Sequence, residues 1–147
     1  METLYFEDVR VGETITVGDY KLTQKEIISF ATEWDPQPYH IDKKVAALSI
    51  YGVLTACGIH IMAIRTLLLH QMRPKPIILG SLGWDELRFP NPARAGDRLH
   101  LTIEFTYKRN WPRKPHRGIE KSIIKVMNQE DSPVLIHKDA VMVAKRN

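Results

Sequence analysis

The sequence predicts an α+β protein in which an antiparallel sheet wraps around one long central helix. Two observations carry this. Ile59 to Arg73 contains neither Gly nor Pro and stops at Pro74, with apolar groups nearly all round (Ile59, Ile61, Met62, Ala63, Ile64, Leu67, Leu68 and Leu69). A helix apolar on most sides is buried by its fold. Everything after Pro76 reads as β, and the clearest strand, Leu99 to Tyr107, has an apolar residue at every odd position. That is the period of a strand with one buried face. One buried helix followed by four antiparallel strands is an α+β layer arrangement.

The remaining elements follow in order. Val11 to Leu22 carries Gly12 and Gly18 between β-formers and reads as a short strand pair or a strand and turn. Thr23-Gln24-Lys25-Glu26 is a capping box, with Thr23 as N-cap. Ile27, Phe30, Ala31 and Trp34 follow at helical spacing, so a helix spans Gln24 to Trp34 and stops before Pro36. Trp34 to His40 should be a stiff, extended loop, because Pro36 and Pro38 fix φ at alternate positions. Asp42 can cap a short helix over Lys43 to Leu48, and Ile50 to Gly58 is a glycine-punctuated turn region. At 1.5 Å per residue the helix from Ile59 would span about 22 Å. Ile77 to Phe89, Gly118 to Asn128 and Pro133 to Ala144 supply three more strands. Asn91-Pro92 with Gly96-Asp97, Trp111 to Gly118, and Asn128 to Pro133 are the turns between them. Leu67 to Leu69, Trp84 and the methionines are expected in the core.

The chain has 147 residues, about one ordinary domain, so residues 1–147 are expected to form a single domain. A composition of 44% hydrophobic and 26% charged residues excludes a disordered tail, a collagen or a coiled coil. No stretch approaches the roughly 20 apolar residues of a membrane span. The start, Met1 to Glu7, is acidic and lacks the apolar core of a secretory signal, so a cytoplasmic setting is expected. The single cysteine, Cys57, excludes an internal disulfide and a thiolate metal cluster.

The net charge of +4 is uneven: residues 1–35 hold eight acids against three Lys/Arg, and Lys108 to Lys121 is the densest basic stretch. A basic second half suits an anionic partner such as a phosphorylated cofactor or nucleic acid, and chooses neither. The loop Arg109 to Arg117 reads as a solvated hairpin, a contact for the phosphates of such a cofactor, or a nucleic-acid contact, in that order.

Asp35 and His40, with Gln37 between them, are the candidates for chemistry. Five residues of turning chain can bring a carboxylate and an imidazole to one water-sized site, and such a pair supplies a base and an acid. The plainer alternative makes Asp35 a local backbone cap and His40 a surface turn residue. Gly58 precedes the central helix, where unpaired N–H groups and the positive end of the macrodipole could hold a developing oxyanion. It could equally be a turn glycine. Cys57 reads as packing rather than as a nucleophile. His60, His70 and His137 are not spaced as metal ligands, so no metal site is expected.

Asp35-Pro36-Gln37-Pro38-Tyr39-His40-Ile41-Asp42 resembles the D-x-[N/Q]-P-x-H-x-D motif of the MaoC-like, (R)-specific enoyl-CoA hydratase family. Tyr51 to His60 is similar to that family's approach to its central helix, and Gly80 to Phe89 to its following strand. Pro92-Ala93-Arg94-Ala95-Gly96-Asp97-Arg98-Leu99 is similar to its glycine-aspartate turn. The similarity covers nearly the whole chain, in order. It implies a hotdog fold, a homodimer or higher homo-oligomer, and a lyase acting on an acyl-CoA thioester without a resident cofactor. It implies Asp35 and His40 as the catalytic pair, Gln37 as a positioning residue and Gly58 as the oxyanion donor. Thr66, eight residues on, falls where some members carry a small hydroxyl residue near the site. Two departures stand out: Cys57 replaces a common His before the glycine, and Gln37 replaces the commoner Asn.

The expected reaction is hydration of 2-enoyl-CoA to (R)-3-hydroxyacyl-CoA, or the reverse dehydration, within fatty acid metabolism. A hotdog acyl-CoA thioesterase and a non-catalytic acyl-thioester-binding subunit are the alternatives. No nucleic-acid or membrane partner is expected.

Overall fold

The structure, a computed structural model, describes residues 2–147. In chain order the elements are β1 (Thr3–Leu4), a single 3-10 turn (Phe6–Asp8), β2 (Thr14–Lys21), α1 (Gln24–Trp34), α2 (Pro38–Ile41), α3 (Lys43–Ala47), α4 (Gly58–Leu69), β3 (Lys75–Pro76), β4 (Ile78–Arg88), β5 (Arg98–Asn110), β6 (Arg117–Met127) and β7 (Pro133–Ala144). β2, β5, β6, β7 and β4 form one antiparallel sheet in that order, and β1 pairs with β3 in parallel. The sheet curls around α4, which packs against β2, β5 and β7. This is the hotdog arrangement. Ile61, Ile64 and Leu68 of α4 meet Leu99, Leu101 and Ile103 of β5 and Ile124 and Val126 of β6 in one core. The apolar positions of β5 at every second residue are what aim that row inward.

Local chemistry explains the helix starts. Thr23 Oγ1 accepts from the Glu26 N–H at 3.2 Å while Glu26 Oε1 accepts from the Thr23 N–H at 2.8 Å, closing the capping box of α1. Asp42 Oδ1 accepts from the N–H groups of Lys44 and Val45 and so opens α3. Val11 to Leu22 resolves into a turn and a single strand; Gly18, at φ 82°, sits where the β2–β5 register shifts.

Several expectations need correction. The loop after α1 is not extended throughout: Pro38 opens the one-turn helix α2. Proline suits a first helical position because its φ is preset and no N–H is left unpaired. α4 ends at Leu69 rather than Arg73. It is also buried on one side only. Ile59, Ala63 and Leu67 form a stripe at i, i+4, i+8, with Ile59 and Leu67 about half exposed (51% and 49%). Trp84 is 48% exposed, because β4 is an edge strand whose pairing with β7 shifts register three times. Tyr107 turns outward past a bulge between Phe105 and Tyr107. Leu68 is fully buried and Leu69 half-buried, as are Met127 and Met142, while Met62 and Met72 are in the core. Met1 lies outside the described residues. Among the described residues no helix is long and apolar enough to cross a membrane.

Candidate active site

The site is assembled around one turn. Arg94 to Asp97 folds back on itself, with the Arg94 N–H donating to Asp97 Oδ2 at 2.8 Å and the Asp97 N–H to the Arg94 carbonyl at 3.0 Å. Gly96 sits at φ 93°, a left-handed conformation that glycine adopts without a Cβ penalty. The Gln129 amide donates to the other Asp97 oxygen at 3.1 Å, so this buried carboxylate is satisfied on both sides. From that turn two bonds run to Leu22, next to the N-cap of α1: Gly96 N–H to the Leu22 carbonyl, and Leu22 N–H to the Asp97 carbonyl. Two more hold the approach to α4: Ala56 N–H to the Ala93 carbonyl, and Ala95 N–H to the Leu54 carbonyl. The turn therefore ties the start of the Asp35 helix to the segment that flanks His40.

Asp35 is the C-cap of α1, held by its N–H to the Ala31 carbonyl at 2.9 Å. His40 lies on α2 and is buried. Its Nδ1 is 2.6 Å from the Thr55 carbonyl. A carbonyl can only accept, so Nδ1 carries the proton and Nε2 keeps its lone pair when the ring is neutral. Nε2 lies 3.9 Å from Asp35 Oδ2. A water about 2.8 Å from each atom fits that gap. The plainer reading of His40 as a surface turn residue fails, since the ring is enclosed and its tautomer is set. Tyr39 packs on the imidazole, with centroids 4.4 Å apart, and Tyr51 packs on Tyr39 at 5.7 Å. Burial, with Tyr51 and Asp35 beside it, pushes the Tyr39 phenol up.

Gly58 is the first residue of α4, behind the N-cap Cys57. Its N–H is one of the donors that have no carbonyl a turn earlier. A Cβ placed on Gly58 would come within 2.9 Å of Phe89 Cζ, so the Phe89 ring lies directly over this backbone. Cys57 is buried, and burial pushes its thiol up although the His60 N–H pulls the other way. An inert, packed thiol is the consequence. His60 is stacked on Phe30 with centroids 4.4 Å apart, and burial holds its pKa down.

Gln37 is exposed; its backbone, not its side chain, makes the local bonds, with its N–H on the Asp35 carbonyl and its carbonyl accepting from the His40 N–H. Thr66 lies eight residues along α4 from Gly58, about 12 Å at 1.5 Å per residue. Its hydroxyl donates to the Met62 carbonyl at 3.1 Å. The structure thus brings Asp35, at the end of α1, and His40, on α2, together, leaves the Gln37 side chain exposed, and leaves Thr66 farther down the helix. The basic loop forms the exposed β5–β6 hairpin connection, where Arg117 stacks on Trp111. Among the described residues no three His, Cys, Asp or Glu side chains are grouped to hold a metal.

Sequence reasoning missed Thr55 at the site and a second polar cluster away from it. Thr55 acts through a backbone carbonyl, which leaves no side-chain signature. Arg65, Glu120, His137 and Asp139 form a buried polar group on the other flank of α4. Its signal was Arg65, the one Lys, Arg, Asp or Glu within α4.

Residues 8–127 match the family described as the MaoC like domain. The chain belongs to the MaoC-like domain family. The protein MaoC of Klebsiella aerogenes is 29% identical over 119 residues, covering 80% of this chain and 35% of that protein. The MaoC-like chain thus spans about a third of that relative's length. A crystal structure of a MaoC-like dehydratase from Rhodospirillum rubrum is 33% identical, with a TM-score of 0.89, covering 98% of this chain and 99% of the other. The R-hydratase PhaJ1 of Pseudomonas aeruginosa, 23% identical with a TM-score of 0.74, covers 97% of this chain and 86% of its own; it shares the fold.

Proposed function

We propose that this MaoC-like chain adds water to a 2-enoyl-CoA thioester to give the (R)-3-hydroxyacyl thioester, or removes it in reverse, with Asp35 and His40 as the acid–base pair. The observation that carries this reading is the fixed imidazole. The Thr55 carbonyl holds Nδ1–H, so the Nε2 lone pair faces Asp35 across 3.9 Å. The dehydratase name of the Rhodospirillum rubrum protein and the R-hydratase name of the Pseudomonas aeruginosa protein point the same way.

In this reaction a water between the two groups gives up a proton as its oxygen adds to C3. The pair holds that proton, and a proton returns from the pair to C2 on the same face. Charge that builds on the thioester oxygen is met by the Gly58 N–H at the start of α4, where the macrodipole is positive. Positioned acid–base groups contribute about 10²–10⁴-fold, and one oxyanion donor about 10²–10³-fold. Gln37 shapes the Asp35–His40 loop through its backbone.

The working species is proposed to be a homodimer. The exposed stripe Ile59, Ala63 and Leu67 on α4 and the apolar edge strand with Ile78, Leu79 and Leu82 are surfaces that a second copy would cover.

Crotonyl-CoA tests the reaction. Hydration removes the enoyl absorbance and releases no free thiol. Thiol release would establish the thioesterase alternative instead, and binding without either signal would establish a non-catalytic subunit.

A further inference from the structure

α1 and α4 carry two halves of the proposed site: Asp35 closes α1 and Gly58 opens α4. An aromatic pair joins the two helices beside that point. The Phe30 ring of α1 and the His60 ring of α4 lie 4.4 Å apart, centroid to centroid, and 6° from parallel. Phe30 precedes Asp35 by five residues, about 7.5 Å of helix. His60 follows Gly58 by two, about 3 Å.

The stack sits at the last anchored turn of α1. Ala31 is fully buried, whereas Thr32, Glu33 and Trp34 beyond it are exposed. The first turn is held separately, by the Tyr20 hydroxyl donating to the Glu26 carboxylate. Asp35 is bound back into its own helix through its N–H on the Ala31 carbonyl, so its carboxylate goes where the end of α1 goes. His40 is fixed independently, by the Thr55 carbonyl. The 3.9 Å gap between Asp35 Oδ2 and His40 Nε2 therefore depends on where α1 lies against α4 and its approach. His60 is 4% exposed, and its Nδ1 has no hydrogen-bond partner among the described residues. Burial holds its pKa down, so the ring is uncharged at neutral pH. What the imidazole offers here is chiefly a flat face, as stacked rings require.

We infer that His60 is a positioning residue for this reaction: stacked on Phe30, it fixes the end of α1 against α4 and so sets Asp35 relative to His40 and the Gly58 N–H. The inference rests on the hydratase reading. Without the stack, α1 stays fixed at Glu26 and is free to tilt at its far end, carrying Asp35 with it. A displacement of about 1 Å at a reacting group costs on the order of 10²-fold in rate. Substrate contacts remote from the reacting carbons are untouched by such a tilt, so the loss falls on kcat and leaves KM in place.

The test measures crotonyl-CoA hydration, with kcat and KM separated, in the parent chain and in His60→Ala, Phe30→Leu and His60→Phe, each checked for folding by circular dichroism. His60→Ala should lower kcat about tenfold or more, with KM within about twofold. Phe30→Leu removes the opposing ring and should do the same, and the double variant should cost little more than either alone. His60→Phe restores a flat ring and should keep kcat within about threefold. The larger ring has room, because a hollow of about 350 Å³ bordered by Ser29, Glu33 and Leu67 lies beside His60. Full kcat in folded His60→Ala, an equal loss in His60→Phe, or a loss carried by KM alone would overturn the inference and leave the hydratase reading standing. A parent chain that hydrates nothing overturns both. Should His60→Ala not fold, Phe30→Leu decides by the same readings.

Discussion

His40 donates its Nδ1–H to the Thr55 carbonyl over 2.6 Å, fifteen residues along the chain. One backbone oxygen thereby sets the tautomer of the imidazole and the direction of its free lone pair. Asp35 faces that lone pair across a 3.9 Å gap that a water can bridge, because α1 ends where it does.

Asp35→Asn and His40→Ala should each lower the rate on crotonyl-CoA by about 10²–10⁴-fold, with the circular dichroism spectrum unchanged. A folded variant that keeps full activity removes its residue from the proposed pair.

Asp97 touches no proposed substrate atom, yet it holds the turn that ties residues 54–56 to the start of α1. Asp97→Ala strands the Arg94 N–H and the Gln129 amide. A loss of about 1–3 kcal/mol in urea unfolding is expected, together with reduced activity as Thr55 shifts behind His40. Unchanged stability would mean the turn holds without its carboxylate.

Gly58 has no positive φ, so its backbone accepts alanine; the obstacle is Phe89, 2.9 Å from the added carbon. Gly58→Ala should cost up to about 10²-fold in rate through a displaced helix start, with little change in melting temperature. Adding Phe89→Leu should restore part of the activity. No recovery in the double variant would place the damage elsewhere.

Glu120 gives a signed pH dependence. The unfolded chain ionises this carboxyl near 4.5, whereas the fold keeps it protonated to about 8. Between those values the folded state holds the extra proton, so stability falls as pH rises, by about 1.4 kcal/mol per unit at most. Urea midpoints from pH 5 to 8 should show the decline, and Glu120→Gln should flatten it. A parallel slope in the variant would assign the decline to other groups.

Leu67→Asp puts a charge in the exposed stripe of α4. Sedimentation should show a dimer for the parent chain and a monomer for this variant. A parent chain that sediments as a monomer refutes the proposed pairing.

Much of this protein could be read before it was folded. The capping box at Thr23, the alternation in β5 and the aspartate, proline and histidine loop are short-range patterns. Their signals lie within a dozen residues because hydrogen bonds at a helix start and the period of a strand are local. What local patterning did not determine was which outward faces stay open. The apolar run of α4 looked buried all round, but the single sheet covers one side and leaves Ile59 and Leu67 facing out.

The tertiary structure alone decided the partners that meet across the chain. Thr55 presents a carbonyl to His40, Phe89 lies over Gly58, and Arg65 finds His137 seventy-two residues away. Such contacts are set by how the sheet curls around the helix and by strand register. A backbone oxygen or a ring edge carries no residue pattern that would announce them.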